Sequence, residues 1–200
     1  MRATQVADTL RRLGPKVVST AEAAAALAIS VDAANKALTR LRDDGSIASV
    51  ARGLWSLTPD LDPLLLPAHL TAPYPAYVSL WSALYLHGAI EQIPAMTYVV
   101  TLGRSRLVRT HLGTFSIHRV TPSLFDGWET TPGGVTLATV EKALFDVAYL
   151  SSTRNRSFAA FPELELPRRL RRADIRRSIA RVQSPRLRAV VERRLERILS

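Results

Sequence analysis

Apolar residues recur at helical spacing at Val6, Leu10 and Leu13, and Gly14-Pro15 closes the stretch, which predicts a short opening helix. An alanine-rich run, AEAAAALA (21–28), follows Ser19 and Thr20, either of which can cap its first turn. After a tight break at Ile29-Ser30, Ser30 can cap a third helix that Gly45 stops. Val31, Ala34, Leu38 and Leu41 are spaced three, four and three, so they form one apolar stripe. The other face carries Asp32, Asn35, Lys36, Thr39, Arg40 and Asp43. Asn35 with Thr39, and Lys36 with Arg40, are i,i+4 neighbours that point outward together. SIASVARGLWSL (46–57) then alternates as two short strands, with Arg52-Gly53 at the turn.

Helix, helix–turn–helix and hairpin, in that order, predict a winged helix–turn–helix over residues 1–60. Amide, hydroxyl and cationic groups on one exposed face suit base edges and phosphates in a major groove. A basic wing tip suits the sugar-phosphate backbone or the minor groove. The expected DNA-contacting set is therefore Thr20, Ser30, Asn35, Lys36, Thr39, Arg40 and Arg52. An alanine-rich helical hairpin serving only as scaffold shares part of this pattern. Agreement of cap, turn, outward face and wing tip favours DNA.

TPDLDPLLLPAHLTAPYPA (58–76) holds five prolines and reads as an extended, Pro-rich linker over 61–76. The remainder, 77–200, predicts a mixed α/β domain. Ser79 opens a helix that stops at Gly88, and TYVVTLG (97–103), GTFSIHRV (113–120) and VTL (135–137) read as strands. TVEKALFDVAYL (139–150) is an amphipathic helix whose Val140, Leu144, Val147 and Ala148 face a core. Two basic helices end the chain, PRRLRRADIRRSIARVQ and PRLRAVVERRLERIL, the second restarted by Ser184-Pro185. The fold class is thus α+β, an N-terminal winged helix followed by a mixed α/β domain that ends in basic helices.

Charge sharpens this division. The 200 residues carry a formal +10, but residues 1–60 hold only +2 and 61–150 hold −1, leaving +9 for 151–200. The excess reads as a solvated face, or as a surface for nucleic acid or an acidic protein. Residues 63–90 lack Asp, Glu, Lys and Arg, yet Pro67, Pro73 and Pro75 interrupt them and Tyr77–Ile90 is too short to span a bilayer. A core helix is expected there, with no membrane partner. The opening MRATQVADTLRRL has no continuous apolar core of a signal peptide, and a cytoplasmic location is expected.

Catalytic patterns are weak. The chain has no cysteine, so disulfides, thiolate metal sites and thiol nucleophiles are excluded. His69, His87, His111 and His118 include no pair at helical metal-ligand spacing. There is no GxSxG elbow and no phosphate-binding glycine loop. Glu141 and Asp146 stand five apart on one helix and diverge, so with Lys142 they read as surface groups or helix-fixing salt bridges, not as a nuclease centre. No enzyme activity, catalytic residue, metal or cofactor is expected.

The combined pattern resembles the AbiEi family of antitoxins of type IV (AbiE-like) toxin–antitoxin systems, which includes MenA-like proteins. The matching segments are LRDDGSIASVARGLWSLTP (41–59), SLWSALYLHGAIEQIP (79–94), TYVVTLG (97–103) and VTLATVEKALFDVAYL (135–150). LAIS (27–30) stands where a glycine-containing turn is frequent in helix–turn–helix modules. The resemblance implies a phage-defence antitoxin whose N-terminal domain represses its own operon at inverted repeats in double-stranded promoter DNA. With only +2 on residues 1–60, a few placed basic groups, a dimer on DNA or help from elsewhere in the chain would supply the affinity. It implies that the C-terminal domain counteracts an AbiEii-like nucleotidyltransferase toxin, by contact or only functionally. Arg168, Arg169, Arg171 and Arg172 are the expected antitoxin surface. The competing class is a stand-alone winged-helix regulator with a ligand-binding or dimerising C-terminal domain.

Overall fold

The computed structural model describes residues 3–12, 14, 16–153 and 163–199. Leu13, Pro15 and most of the loop expected between the amphipathic helix and the basic helices lie outside the described residues. The chain is α+β and divides into two compact units, Met1–Leu70 with Arg109–Gly113, and Thr71–Val108 with Thr114–Ser200.

The first unit runs α1 (Ala3–Arg12), β1 (Val17–Ser19), α2 (Thr20–Leu27), α3 (Val31–Asp43), β2 (Ala48–Ala51) and β3 (Leu54–Ser56). Strand β3 is central in a three-stranded antiparallel sheet of order β1-β3-β2. Ser19 caps α2 in a reciprocal capping box: its hydroxyl accepts from Glu22 N while the Glu22 carboxylate accepts from Ser19 N. Helix α2 ends at Ala28, whose φ of 52° lets Ile29 N reach back to Ala24 O. Ser30 accepts from Ala33 N and starts α3. Leu10, Ala23, Leu38, Leu41 and Trp55 meet in one core. The α3 stripe differs in one place: it begins at Ala34, and Val31, at the first helical position beyond the edge of the core, is 54% exposed.

The expected linker is also different. Residues 61–71 are wound rather than extended: Pro63–Leu65 form a 3₁₀ turn capped by the Asp62 carboxylate, and α4 spans Leu66–Thr71. Both prolines fall in first turns, Pro63 at the first position and Pro67 at the second, where no intrahelical N–H is required. Leu61 and Leu66 are buried, and the division between units falls after Leu70.

The second unit contains β4 (Ala76–Val78), α5 (Leu80–Leu86), β5 (Thr97–Thr101), β8 (Trp128–Thr130), β9 (Thr136–Ala138) and all of β6 (Arg106–Thr110) and β7 (Gly113–Arg119) except the tip, Arg109–Gly113. These strands form a mixed sheet of order β6-β7-β5-β4-β9-β8, with β4 parallel to β9 and β5 parallel to β7. Among the described residues three helices follow: α6 (Val140–Ser152), α7 (Arg172–Ala180) and α8 (Pro185–Leu199). Helix α6 is buried along most of its length and carries Leu144, Phe145 and Val147 into a core shared with Tyr77, Leu84, Val100, Ile175 and Val191. Among the described residues no helix is long and apolar enough to cross a membrane.

Candidate nucleic-acid interface and a buried polar cluster

Helix α3 sorts its residues cleanly. Ala34, Leu38 and Leu41 are fully buried, whereas Asn35, Lys36 and Arg40 are exposed and Thr39 is half-buried. The exposed face is mixed in charge, because Asp32 and Asp43 share it with Lys36, and Asp43 pairs with Arg42 at 2.7 Å. Ser30 sits at the amino end of the same helix with its hydroxyl committed to the cap. Arg52 and Gly53 form the exposed turn between β2 and β3, and Gly53 takes a φ of 72°.

Thr20 has a different place from the one expected. It is buried at the first position of α2, and its hydroxyl accepts the indole N–H of Trp55 at 2.9 Å. Its backbone N–H donates to Gly53 O at 2.9 Å. The residue therefore leaves the solvent-facing set and instead ties β3 and the turn of the β2–β3 hairpin to α2. That tie holds Arg52 in a fixed position relative to the α2–α3 pair. Arg11 braces the opposite, open end of the hairpin, donating to Leu57 O after β3 and to Ser46 O before β2.

The second unit holds a cluster for which the sequence left two readings, surface groups or helix-fixing salt bridges: Lys142 and Asp146 form the salt bridge, and it is buried. Lys142 is 2% exposed and Asp146 is fully buried. The Lys142 ammonium lies 2.7 Å from Asp146 Oδ1, donates to Leu124 O at 2.6 Å and is 3.9 Å from Asp126. It also stands over the Phe145 ring, 4.8 Å from the centroid. Oδ2 of Asp146 accepts from Ser79 Oγ at 2.7 Å and from Tyr77 Oη at 3.0 Å. Burial pushes the Asp146 carboxyl above the usual range, against the pull of Lys142 and the two hydroxyls. Burial, with the Asp146 charge adding to it, drives the Tyr77 phenol well above its ordinary value. Asp126, nearer the surface, pairs with Arg181.

The backbone contributes to this arrangement. Ser79 occupies the N-cap position of α5 but makes no side-chain cap, since its hydroxyl goes to Asp146. The next residue, Leu80, is buried and holds a φ of 52°, an unfavourable region for a leucine. Glu141, by contrast, faces outward and accepts from Arg171 N at 2.8 Å. Glu141 and Asp146 thus serve different contacts, and among the described residues no three His, Asp or Glu side chains gather as metal ligands.

The four histidines have separate roles. His87 follows α5 and its Nε2 meets Ala138 O at 2.7 Å. His118 is 8% exposed, stacks on Tyr98 and pairs through Nε2 with Ser116 Oγ at 2.8 Å. Burial lowers the His118 pKa to about 4. His111 is exposed in the β6–β7 turn. His69 titrates below its usual value, again because of burial.

Of the expected arginine cluster, Arg168 and Arg169 lie exposed in a turn before α7, not in a helix. Arg171 is exposed at the N-cap, and Arg172, the first residue of α7, donates to Leu199 O at 3.0 Å. No protein-family model and no curated protein matches the chain.

Proposed function

We propose that this chain is a DNA-binding antitoxin of the AbiE type, whose first unit acts as a winged helix–turn–helix autorepressor. One observation carries the reading: a capped, tightly turned helix pair presents Asn35, Lys36 and Arg40 outward while a braced hairpin presents Arg52. Helix α3 would lie in the major groove, with Arg40 and Lys36 offering cationic donors to guanine edges or phosphates and Asn35 suited to adenine. Arg52 would meet the backbone beside it. The near-neutral charge of residues 1–60 supports recognition by a few placed groups on paired half-sites rather than by a broad electrostatic field.

The resemblance of residues 79–94, 97–103 and 135–150 to AbiEi antitoxins supports the second half of the reading, neutralisation of a nucleotidyltransferase toxin. Arg168, Arg169 and Arg171 are exposed cations that the surface offers for it.

The test uses full-length variants against the chain's own promoter fragment and against a co-expressed toxin encoded beside it. Lys36→Ala and Arg40→Ala each cost about 1–3 kcal/mol of operator binding if they read bases. Arg52→Ala weakens binding to all sequences alike and flattens the salt dependence. Growth rescue survives these changes and falls with Arg168→Glu/Arg169→Glu. Unchanged promoter affinity across the first set overturns the DNA reading, and undiminished rescue by the second overturns the arginine surface.

A further inference from the structure

Helices α7 and α8 both pack on α6 and leave a groove of about 290 Å³ between them. Each helix offers the groove one i, i+3, i+4, i+7 stripe. On α7 the stripe alternates cation and apolar side chain, with Arg172 and Arg176 as its charges. On α8 it alternates anion and apolar side chain, with Glu192 and Glu196. Ile175, Ile179 and Leu195 form the floor. Arg172 is engaged with Leu199 O, but Arg176, Glu192 and Glu196 are exposed and make no ion pair among the described residues. Two rims of opposite sign thus face an apolar floor with their charges unspent.

We infer that this groove is the self-association surface of the chain, occupied by the same groove of a second copy related by a two-fold axis. The charge pattern selects that occupant. A nucleic acid attracted to Arg176 would meet Glu192 and Glu196, and an acidic protein would meet the same repulsion; a basic partner would meet the arginines. A two-fold operation solves the problem without any third molecule, because it sets the α7 rim of each copy against the α8 rim of the other, twice. The apolar floor is narrow, so the charge pairs fix register and the association depends on salt. The inference is independent of the DNA reading, whose promoter assay reports on α3 and not on α7 or α8.

The experiment is sedimentation of the full chain over a range of concentrations, at low and high salt. A concentration-dependent dimer that weakens with salt is expected. Arg176→Glu places like charges across the axis twice and should weaken dimerisation by roughly tenfold or more. Glu192→Arg/Glu196→Arg should do the same, and the combined reversal should restore the dimer. A second measurement uses the absence of cysteine from the chain. An Arg176→Cys protein mixed with a size-tagged Glu196→Cys protein should oxidise to the mixed disulfide in preference to either like pair. A chain that stays monomeric throughout, a dimer indifferent to both reversals, or like pairs forming as readily as mixed ones overturns the inference.

Discussion

Lys142 Nζ lies 2.7 Å from Asp146 Oδ1, one turn away on the same helix, and neither side chain reaches solvent. Such a pair has been taken out of water at high cost, which its mutual attraction and the polar groups around it offset. Lys142 donates to Leu124 O while Ser79 and Tyr77 donate to Asp146 Oδ2, so the cluster joins α6, β4, the start of α5 and the segment before β8. Removing one member leaves the other charge buried alone. Lys142→Met or Asp146→Ala is expected to destabilise the protein by about 3–5 kcal/mol. Lys142→Met with Asp146→Leu should recover much of that loss, since no lone charge remains. Urea unfolding followed by circular dichroism measures both; a single replacement costing under about 1 kcal/mol would contradict the account.

Acid sensitivity should be traceable to His118. Its folded pKa lies near 4 against about 6.5 unfolded, so the folded state binds this proton less readily than the unfolded chain. Between those values the unfolded state is the more protonated one, and stability falls as pH falls. Above pH 6.5 the residue is neutral in both states and contributes no slope. The shift corresponds to about 3 kcal/mol once pH drops below 4. His69 acts in the same direction in the first unit. His118→Gln, which can still hydrogen-bond Ser116, should remove most of the slope between pH 6.5 and 4. An unaltered pH–stability profile in that variant would rule the assignment out.

Local signals along the chain were readable where one physical rule dominated. The caps at Ser19 and Ser30, the stripe of Ala34, Leu38 and Leu41, and the Gly53 turn depend on neighbours within four residues. Helix α6 and strands β5, β7 and β9 followed from their periodicity. The proline-rich stretch failed because a proline at the start of a helical turn and one in an extended linker look alike without their context. Strands β1, β4, β6 and β8 were missed because three to five residues show too little alternation, and the hydrogen bonds of β1 and β4 go to partners distant in sequence. The Lys142–Asp146 pair had a signal, an i,i+4 cation and anion among the apolar residues of one helix. What hid its burial was that Tyr77 and Ser79, which satisfy it, lie 69 and 67 residues away from Asp146.

The turn between α2 and α3 stores strain that can be relieved. Ala28 holds a left-handed φ of 52° and is exposed, so its methyl group gains no packing to offset the backbone cost. Glycine adopts this conformation freely but adds entropy to the unfolded chain. The balance favours Ala28→Gly by about 0.5–1 kcal/mol. A higher melting temperature with unchanged promoter affinity is expected, because the turn geometry is retained. A lower one would mean that the αL conformation at Ala28 is not strained.

Thr20 separates scaffold from contact in the first unit. Its hydroxyl is the acceptor for the Trp55 indole, both residues are buried, and the same residue's N–H bonds Gly53 O beside Arg52. Thr20→Val keeps the shape and removes the acceptor, leaving the indole N–H unpaired in the core. A cost of about 1–3 kcal/mol in stability follows. Thr20→Ser retains the acceptor and should lose much less. Under conditions where both variants are folded, neither removes a group that would touch DNA, so base discrimination should be kept. What Thr20→Val should change is the contribution of Arg52, because the hairpin that carries it loses the side-chain part of its tie to α2 and keeps only the Thr20 N–H bond to Gly53 O. Operator affinity should then fall only as far as it does in Arg52→Ala, and the combined variant should be no weaker than Arg52→Ala alone. Additive losses in the combined variant would instead return Thr20 to the set of direct contacts.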